Sequence, residues 1–144
     1  MILYLDTSAI VRLYVREAGH ELVWSAAQEA SQTDTHLIAY AEMRAALARM
    51  QRMDRLNKAE AASIKRAFES DWRNTIRITP TEAMIRHAGD LAERFGLRGY
   101  DSVHLAAAES LRVSHGSDFL GFACFDHALN AAASDIGLRL LVAD

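Results

Sequence analysis

Short apolar runs alternate with longer helical patterns along the chain. The segment Ile2–Leu5 is a continuous apolar run, which is typical of a strand covered on both faces. Apolar residues at 22, 23, 26, 27 and 30 then fall on one face of a helix. Further strands are predicted at 35–38, 75–78, 119–125 and 139–142, with helical patterns between them. The alternation predicts an α/β fold, a three-layer α/β/α arrangement around a parallel sheet of about five strands.

Polar residues mark where the predicted helices begin. Asn57 followed by Glu60 has the spacing of a capping box. Thr79 is predicted to cap a helix whose first residue is Pro80, because that position needs no amide hydrogen, and Glu82 is expected to bond back to the cap. The predicted helices after the first one cover 39–50, 57–72, 80–95, 101–113 and 126–134.

The composition indicates one compact unit. The chain has 144 residues, one proline and no low-complexity tract, so residues 1–144 are predicted to form a single domain. The longest uncharged apolar stretch, 119–125, is too short for a membrane helix, and the N-terminus lacks a basic leader. The single cysteine, Cys124, excludes an intramolecular disulfide and is compatible with a reducing, cytoplasmic location.

The net charge of −3 conceals an uneven distribution. Between residues 44 and 77 there are nine basic and four acidic residues, while the rest of the chain carries 7 basic and 15 acidic residues. Two interpretations stay open: a phosphate-binding patch beside an acidic pocket, or two solvated helix faces. Arg98, just before an acidic helix, is a further candidate for contact with phosphate.

Acidic residues follow the predicted strands or lie at the start of the next helix. Because ligands of open parallel sheets bind outside the carboxyl ends of the strands, these side chains are expected to converge there. Each also fits a structural role as a helix cap or a partner of the helix dipole. The four candidates are Asp6, Glu42, Asp101 and Asp126.

A cluster of four carboxylates predicts a divalent cation. Ionised carboxylates placed a few ångströms apart raise one another's pKa, and a cation removes that conflict. Mg²⁺ and Mn²⁺ prefer oxygen ligands and are suited to phosphodiester hydrolysis. The residues themselves therefore favour a metal-dependent enzyme that acts on phosphate esters.

The same four segments resemble the PIN-domain nucleases, and among them most closely the VapC-type toxins of bacterial and archaeal toxin–antitoxin pairs. No single motif is specific, but the ordered set of four is, and it extends over the whole chain. The segments that carry the resemblance are Asp6-Thr7-Ser8-Ala9, Ala39-Tyr40-Ala41-Glu42, Tyr100-Asp101-Ser102-Val103-His104-Leu105 and Phe125-Asp126-His127-Ala128-Leu129.

The resemblance implies a Mg²⁺- or Mn²⁺-dependent endoribonuclease that cleaves RNA, forms a homodimer and is neutralised by a small antitoxin protein. It further implies that the metal-binding acids are Asp6, Glu42, Asp101 and Asp126, and that Ser8 supports them by hydrogen bonding. The family often has Thr or Ser two residues before the fourth acid, where this chain has Cys124. A thiol is a weak donor, so weaker polar support of Asp126 is expected.

Other functions are compatible with parts of this pattern. A signalling receiver domain needs an acidic pair after the first strand, and a haloacid-dehalogenase-type phosphatase needs Asp-x-Asp there, where this chain has Asp6 and Ser8. Both are therefore excluded. A catalytically silent PIN-fold binding or scaffolding domain stays open, as does a nuclease directed at another nucleic acid.

Overall fold

The computed structural model describes residues 1–116, 118 and 120–143. In chain order, the strands are β1 (Ile2–Leu5), β2 (Gln32–His36), β3 (Ile76–Ile78), β4 (Leu120–Ala123) and β5 (Arg139–Leu140). The helices are α1 (Thr7–Tyr14), α2 (His20–Glu29), α3 (Ala39–Arg52), α4 (Lys58–Trp72), α5 (Glu82–Phe95), α6 (Gly99–His115) and α7 (His127–Asp135).

The strands form one parallel sheet in the order β3-β2-β1-β4-β5. Strand β1 is central, and its Tyr4 lies opposite Asp34 of β2 and Phe122 of β4. All carboxyl ends of the strands consequently lie at one edge of the sheet. The predicted α/β fold with a parallel sheet of about five strands is confirmed.

Two hydrophobic cores lie on opposite faces of this sheet. Because successive side chains of a strand point to opposite faces, Leu3 and Leu5 of β1 enter one core and Tyr4 enters the other. The first core is completed by buried residues of α1–α4, and the second by buried residues of α5–α7. The sheet with a helical layer on each face is the predicted three-layer arrangement.

Two elements differ from the sequence-based expectation: a strand whose sequence is largely polar, and a short helix that begins directly after Asp6. The second strand was expected at 35–38, but β2 spans Gln32–His36 and carries Asp34 buried at its centre. Three of its polar side chains are paired: Gln32 Nε2 donates to Asp34 Oδ1, and Thr35 Oγ1 donates to the Leu5 carbonyl oxygen. Helix α1, which follows Asp6 directly, was not predicted at all.

The predicted cap of α5 is wrong by two residues. Thr81, not Thr79, is the N-cap, and its side chain accepts a hydrogen bond from the Met84 amide. Pro80 therefore precedes the helix, and Glu82 is the first helical residue. Strand β3 ends at Ile78, so extended backbone continues past the proline before the helix begins.

The remaining boundaries agree more closely with prediction. The Asn57–Glu60 capping box is confirmed, and α5 ends at Gly96 in the left-handed conformation. Helix α6 begins two residues earlier than predicted, and Asp126 is the N-cap of α7 instead of its first residue. Strands β4 and β5 are shorter than 119–125 and 139–142, and Phe119 lies outside the described residues.

Within the described ranges, no helix combines the length and the apolar character that a membrane crossing needs.

Thr81→Ala is expected to lower the free energy of unfolding by about 1 kcal/mol, because the Met84 amide loses its acceptor. For a chain of this size that corresponds to a fall in Tm of about 2–4 °C. Thr79→Ala is the matched control and should leave Tm unchanged in the same thermal melt. Equal effects of the two substitutions would contradict Thr81 as the cap.

Candidate functional site

The structure brings the four predicted acids to the carboxyl edge of the sheet. Asp6 directly follows β1, and Asp126 comes three residues after the end of β4. Glu42 lies in the first turn of α3, which follows β2. Asp101 lies in the first turn of α6, the longest helix among the described residues. Four separate segments thus supply carboxylates to one region.

Asp6 is fixed by the start of α1. Its Oδ1 accepts hydrogen bonds from Ser8 Oγ at 2.6 Å and from the Ala9 amide at 2.9 Å. The Ser8 hydroxyl in turn accepts a hydrogen bond from the Phe125 amide at 2.9 Å. The Ser8 side chain therefore connects Asp6 to the loop that carries Asp126.

Burial dominates the electrostatics of Asp6, whose residue surface is 4% exposed. Loss of hydration raises the pKa of Asp6, although attraction to His104 and hydrogen bonds from Ser8, Cys124 and Ala9 partly oppose this effect. At neutral pH the buried negative charge of Asp6 consequently destabilises the folded protein, and a nearby cation would reduce this destabilisation.

Glu42 is held by two donors. Thr7 Oγ1 lies 2.8 Å and His104 Nε2 lies 2.7 Å from its Oε1. Burial alone would raise the pKa of Glu42, but the hydrogen bond and the attraction from His104, together with the Thr7 hydroxyl, lower it. Glu42 is therefore ionised at neutral pH.

His104 connects Glu42 to the centre of the sheet. Its Nδ1 lies 2.7 Å from the hydroxyl of Tyr4, and the His104 residue is 1% exposed. Burial, followed by the charge of Asp6, raises the pKa of Tyr4, so this hydroxyl keeps its proton. An ionised Glu42 can only accept, so Nε2 donates to it, while Nδ1 pairs with the Tyr4 hydroxyl, and these two contacts fix the orientation of the ring.

Arg98 bridges the other two acids. Its Nε donates to Asp101 Oδ2 at 2.9 Å, and its Nη2 lies 3.8 Å from Asp126 Oδ2. The pKa of Arg98 is raised, first by the hydrogen bond with Asp101 and then by the charge of that carboxylate, with further attraction from Asp126 and Glu42. Asp126 Oδ1 also accepts from the Leu129 amide at 2.8 Å as the cap of α7. Arg98 thus links two of the four acids, Asp101 and Asp126.

The chemistry of the donors fits a hard divalent cation. The candidate ligands are carboxylate oxygens, and a positively charged guanidinium already sits between two of them. In the part of the chain that the structure describes, however, no three His, Cys, Asp or Glu side chains are gathered as a ready metal-binding group. In this arrangement Arg98 contacts Asp101 and Asp126, while Glu42 contacts His104.

Cys124 supports the site differently from a hydroxyl. Its sulfur accepts from the Asp126 amide at 3.2 Å and donates to the Asp126 carbonyl oxygen at 3.7 Å, so it orients the backbone of that residue. Burial and the charge of Asp6 raise the pKa of the Cys124 thiol, which therefore stays protonated. The Asp126 carboxylate obtains its own polar support from Leu129 and Arg98.

Two residues that contact the site, Tyr4 and Thr7, have no functional role predicted from the sequence. Tyr4 lies in an apolar run that predicts a buried strand and nothing else. Thr7 stands beside Asp6, but its contact with Glu42 joins residues 35 positions apart, which no local spacing indicates. The spacing of His104 from Asp101, one helical turn, is a signal that both side chains share a helix face.

This combination of fold and acidic edge defines a class of nuclease domain, and comparison with known proteins identifies it. The PIN domain family profile matches residues 3–132, and the chain belongs to this family. Ribonuclease VapC45 of Mycobacterium tuberculosis is 34% identical over 139 residues, covering 96% of this chain and 94% of that protein. The family resemblance predicted from the sequence is thereby confirmed.

Two solved structures share the fold. FitAcB from Neisseria gonorrhoeae superposes with a TM-score of 0.64 at 19% identity, covering 97% of this chain and 96% of that one. VapC20 of M. tuberculosis, described as a sarcin–ricin loop cleaving toxin, gives 0.64 at 17% identity, with 90% and 94% covered. At these identities the likeness establishes the fold alone.

Asp6→Asn is expected to raise Tm at about pH 8 in EDTA, because the amide oxygen still accepts from Ser8 and Ala9 while the buried charge is removed. The pKa of Asp6 is raised in the folded state, so the wild-type protein loses stability as pH rises through that pKa. The Tm difference should therefore shrink towards about pH 4, the ordinary range of an aspartate. A variant that melts lower than wild type at about pH 8 would contradict this account.

His104→Leu is expected to lower the free energy of unfolding by about 1–3 kcal/mol, because Tyr4 and Glu42 each lose a partner. Adding Tyr4→Phe should cost less in that background than in the wild-type protein, because the hydroxyl is then already unpaired. Urea unfolding of the four proteins of this double-mutant cycle measures the coupling. Simple additivity of the two losses would argue against the connection.

Proposed function

We propose that the protein is a Mg²⁺- or Mn²⁺-dependent endoribonuclease that acts as the toxin of a toxin–antitoxin pair. The observation that carries this proposal is the arrival of four carboxylates at the carboxyl edge of the sheet in a chain of the PIN family. The relative that is 34% identical is named a ribonuclease, and the VapC20 toxin has the same fold.

In this proposal Asp6, Asp101, Asp126 and Glu42 hold the cation. When bound there, it supplies Lewis acidity towards water and the phosphodiester. Asp6 is kept in one orientation by the start of α1, and Ser8 maintains its position relative to the Asp126 loop. Glu42 is kept ionised and immobile by Thr7 and His104, so it contributes a fixed negative charge.

The partners in this proposal are an RNA substrate, a cognate small antitoxin and a second copy of the chain in a homodimer, and the location is the cytoplasm. The PIN and VapC resemblance supports the antitoxin and the dimer, while the buried, unpaired Cys124 suits a reducing compartment. Light scattering of the purified protein tests the homodimer, and co-purification with the product of an adjacent small reading frame tests the antitoxin.

Purified protein is expected to cleave RNA with Mg²⁺ or Mn²⁺ and to stop when EDTA is added. Asp6→Asn, Asp101→Asn and Asp126→Asn should each reduce kcat more than about 100-fold, since loss of a ligand exceeds the roughly 10–100-fold effect of an outer-sphere partner. Ser8→Ala, which removes such a partner, should fall within that smaller range.

The matched control is Asp135→Asn, because Asp135 is an exposed acid at the far end of α7, the helix that Asp126 caps. Its activity should equal that of the wild type. Unchanged cleavage by the Asp6 and Asp101 variants would refute the assignment. Folded protein that cuts neither RNA nor DNA would instead indicate a silent binding or scaffolding domain, and cleavage of DNA alone would indicate another substrate class.

A further inference from the structure

We propose that Arg98 competes with the divalent cation for Asp101 and Asp126, and that the displaced guanidinium then binds a phosphate of the RNA. This inference deepens the proposed function and rests on it. In this proposal Arg98 neutralises Asp101 and Asp126 when the metal is absent, and it binds a phosphate of the substrate when the metal is present.

The first support is the position of the guanidinium. Its two contacts are with oxygens of different segments, Asp101 Oδ2 at 2.9 Å and Asp126 Oδ2 at 3.8 Å. Those carboxylates are the ones that α6 and the loop after β4 supply to the candidate metal site. A guanidinium and a metal ion draw on the same two carboxylates, and their positive charges repel each other, so the binding of one weakens the binding of the other.

The second support is the difference in exposure within the bridge. The Arg98 side chain is 80% exposed, whereas those of Asp101 and Asp126 are 15% and 37% exposed. Exposed ion pairs contribute little to stability, since solvent screens them and the long side chain loses freedom when it is held. The Arg98 guanidinium is therefore the part of this bridge that can leave without disturbing the fold.

The third support is the anchoring of the Arg98 backbone. Arg98 is the N-cap of α6, and its carbonyl oxygen accepts a hydrogen bond from the Ser102 amide at 3.0 Å. Its side chain makes no capping contact. The main chain is consequently held by the helix, while the guanidinium can exchange partners by side-chain rotation alone.

The chemistry of the substrate supplies the reason for the exchange. An RNA phosphate that approaches Glu42, Asp101 and Asp126 meets three negative charges, and an arginine at the entrance reduces that repulsion. Guanidinium binds phosphate through two parallel hydrogen bonds, the geometry it also uses with carboxylates. A released Arg98 therefore has a suitable partner within reach of the site.

The test compares Arg98→Ala and Arg98→Lys with wild type. Arg94→Ala is the matched control, because Arg94 is an exposed arginine four residues earlier whose guanidinium stacks on Phe95 at 4.6 Å. Mn²⁺ binding is measured by the electron paramagnetic resonance signal of free Mn²⁺, which does not depend on cleavage. Arg98→Ala should bind Mn²⁺ at least about threefold more tightly, because its competitor is gone, and Arg94→Ala should match wild type.

RNA binding is then measured by fluorescence anisotropy with a mixed-sequence single-stranded RNA and Mg²⁺, all proteins carrying Asp6→Asn to prevent cleavage. Arg98→Ala should bind more weakly, and the slope of log affinity against log salt should fall by about 0.7, the value for one lost phosphate contact on a single strand. Arg98→Lys, which keeps the charge but not the planar fork, should lie between the two.

Mn²⁺ affinity that is unchanged or weaker in Arg98→Ala, or no Mn²⁺ binding by any of the proteins, would overturn the competition. RNA affinity that is the same with and without Arg98, or absent in all of them, would overturn the phosphate contact. Neither measurement uses turnover, so a protein that shows both effects but cuts no RNA would refute the proposed function and leave this inference standing.

Discussion

The structure depends on how negative charge is accommodated at one edge of a parallel sheet. Parallel strands end together, so the loops after β1, β2 and β4 deliver acids to the same region. Carboxylates brought together in partly buried surroundings are unfavourable unless each has a donor or a cation. The contacts of Asp6, Glu42, Asp101 and Asp126 all answer this one requirement.

The donors that meet this requirement also tie the layers of the protein together. Tyr4 belongs to the central strand, His104 to a helix on one face of the sheet, and Glu42 to a helix on the other face. The two hydrogen bonds of His104 therefore join both helical layers at the carboxyl edge. Ser8 makes the corresponding link between the loops after β1 and β4. The acids are thus held by the scaffold as much as by one another.

The acids divide into two kinds. Asp6 and Glu42 are bound by uncharged hydroxyls, an amide and an imidazole in buried or half-buried positions, so their orientation is fixed. Asp101 and Asp126 share a guanidinium on an exposed side chain. The contacts of Arg98 with these two acids are therefore more exposed to solvent than the contacts of Asp6 and Glu42, although Asp126 Oδ1 is also held by the Leu129 amide.

Family membership explains less about recognition than about chemistry. The fold superposes on FitAcB and VapC20 at below 20% identity, so the architecture tolerates extensive change of the surface. Function on a shared fold is decided by the groups at the site. In this chain Cys124, which faces both Asp6 and the Asp126 backbone, is one such local difference.

The sequence by itself predicted the fold class and the buried character of β1, because apolar periodicity is a local property. It also singled out Asp6, Glu42, Asp101 and Asp126, whose roles stay predictions. It also determined the capping box at Asn57. It predicted the second strand at 35–38 instead of Gln32–His36, because the buried Asp34 and Thr35 of β2 are satisfied by partners that a propensity pattern ignores. Helix α1 was missed because it has only 8 residues, which is too short for its apolar pattern to show a helical period.

The hydrogen bonds that define the site were decided by the tertiary structure alone. His104 meets Tyr4 across 100 positions of sequence and Glu42 across 62. Arg98 lies three residues from Asp101, so that contact is local, but its approach to Asp126 depends on how α6 packs beside β4 and α7. Sequence spacing fixes which side chains share a helix face or follow a strand, whereas the distance between such segments is set by packing across the sheet.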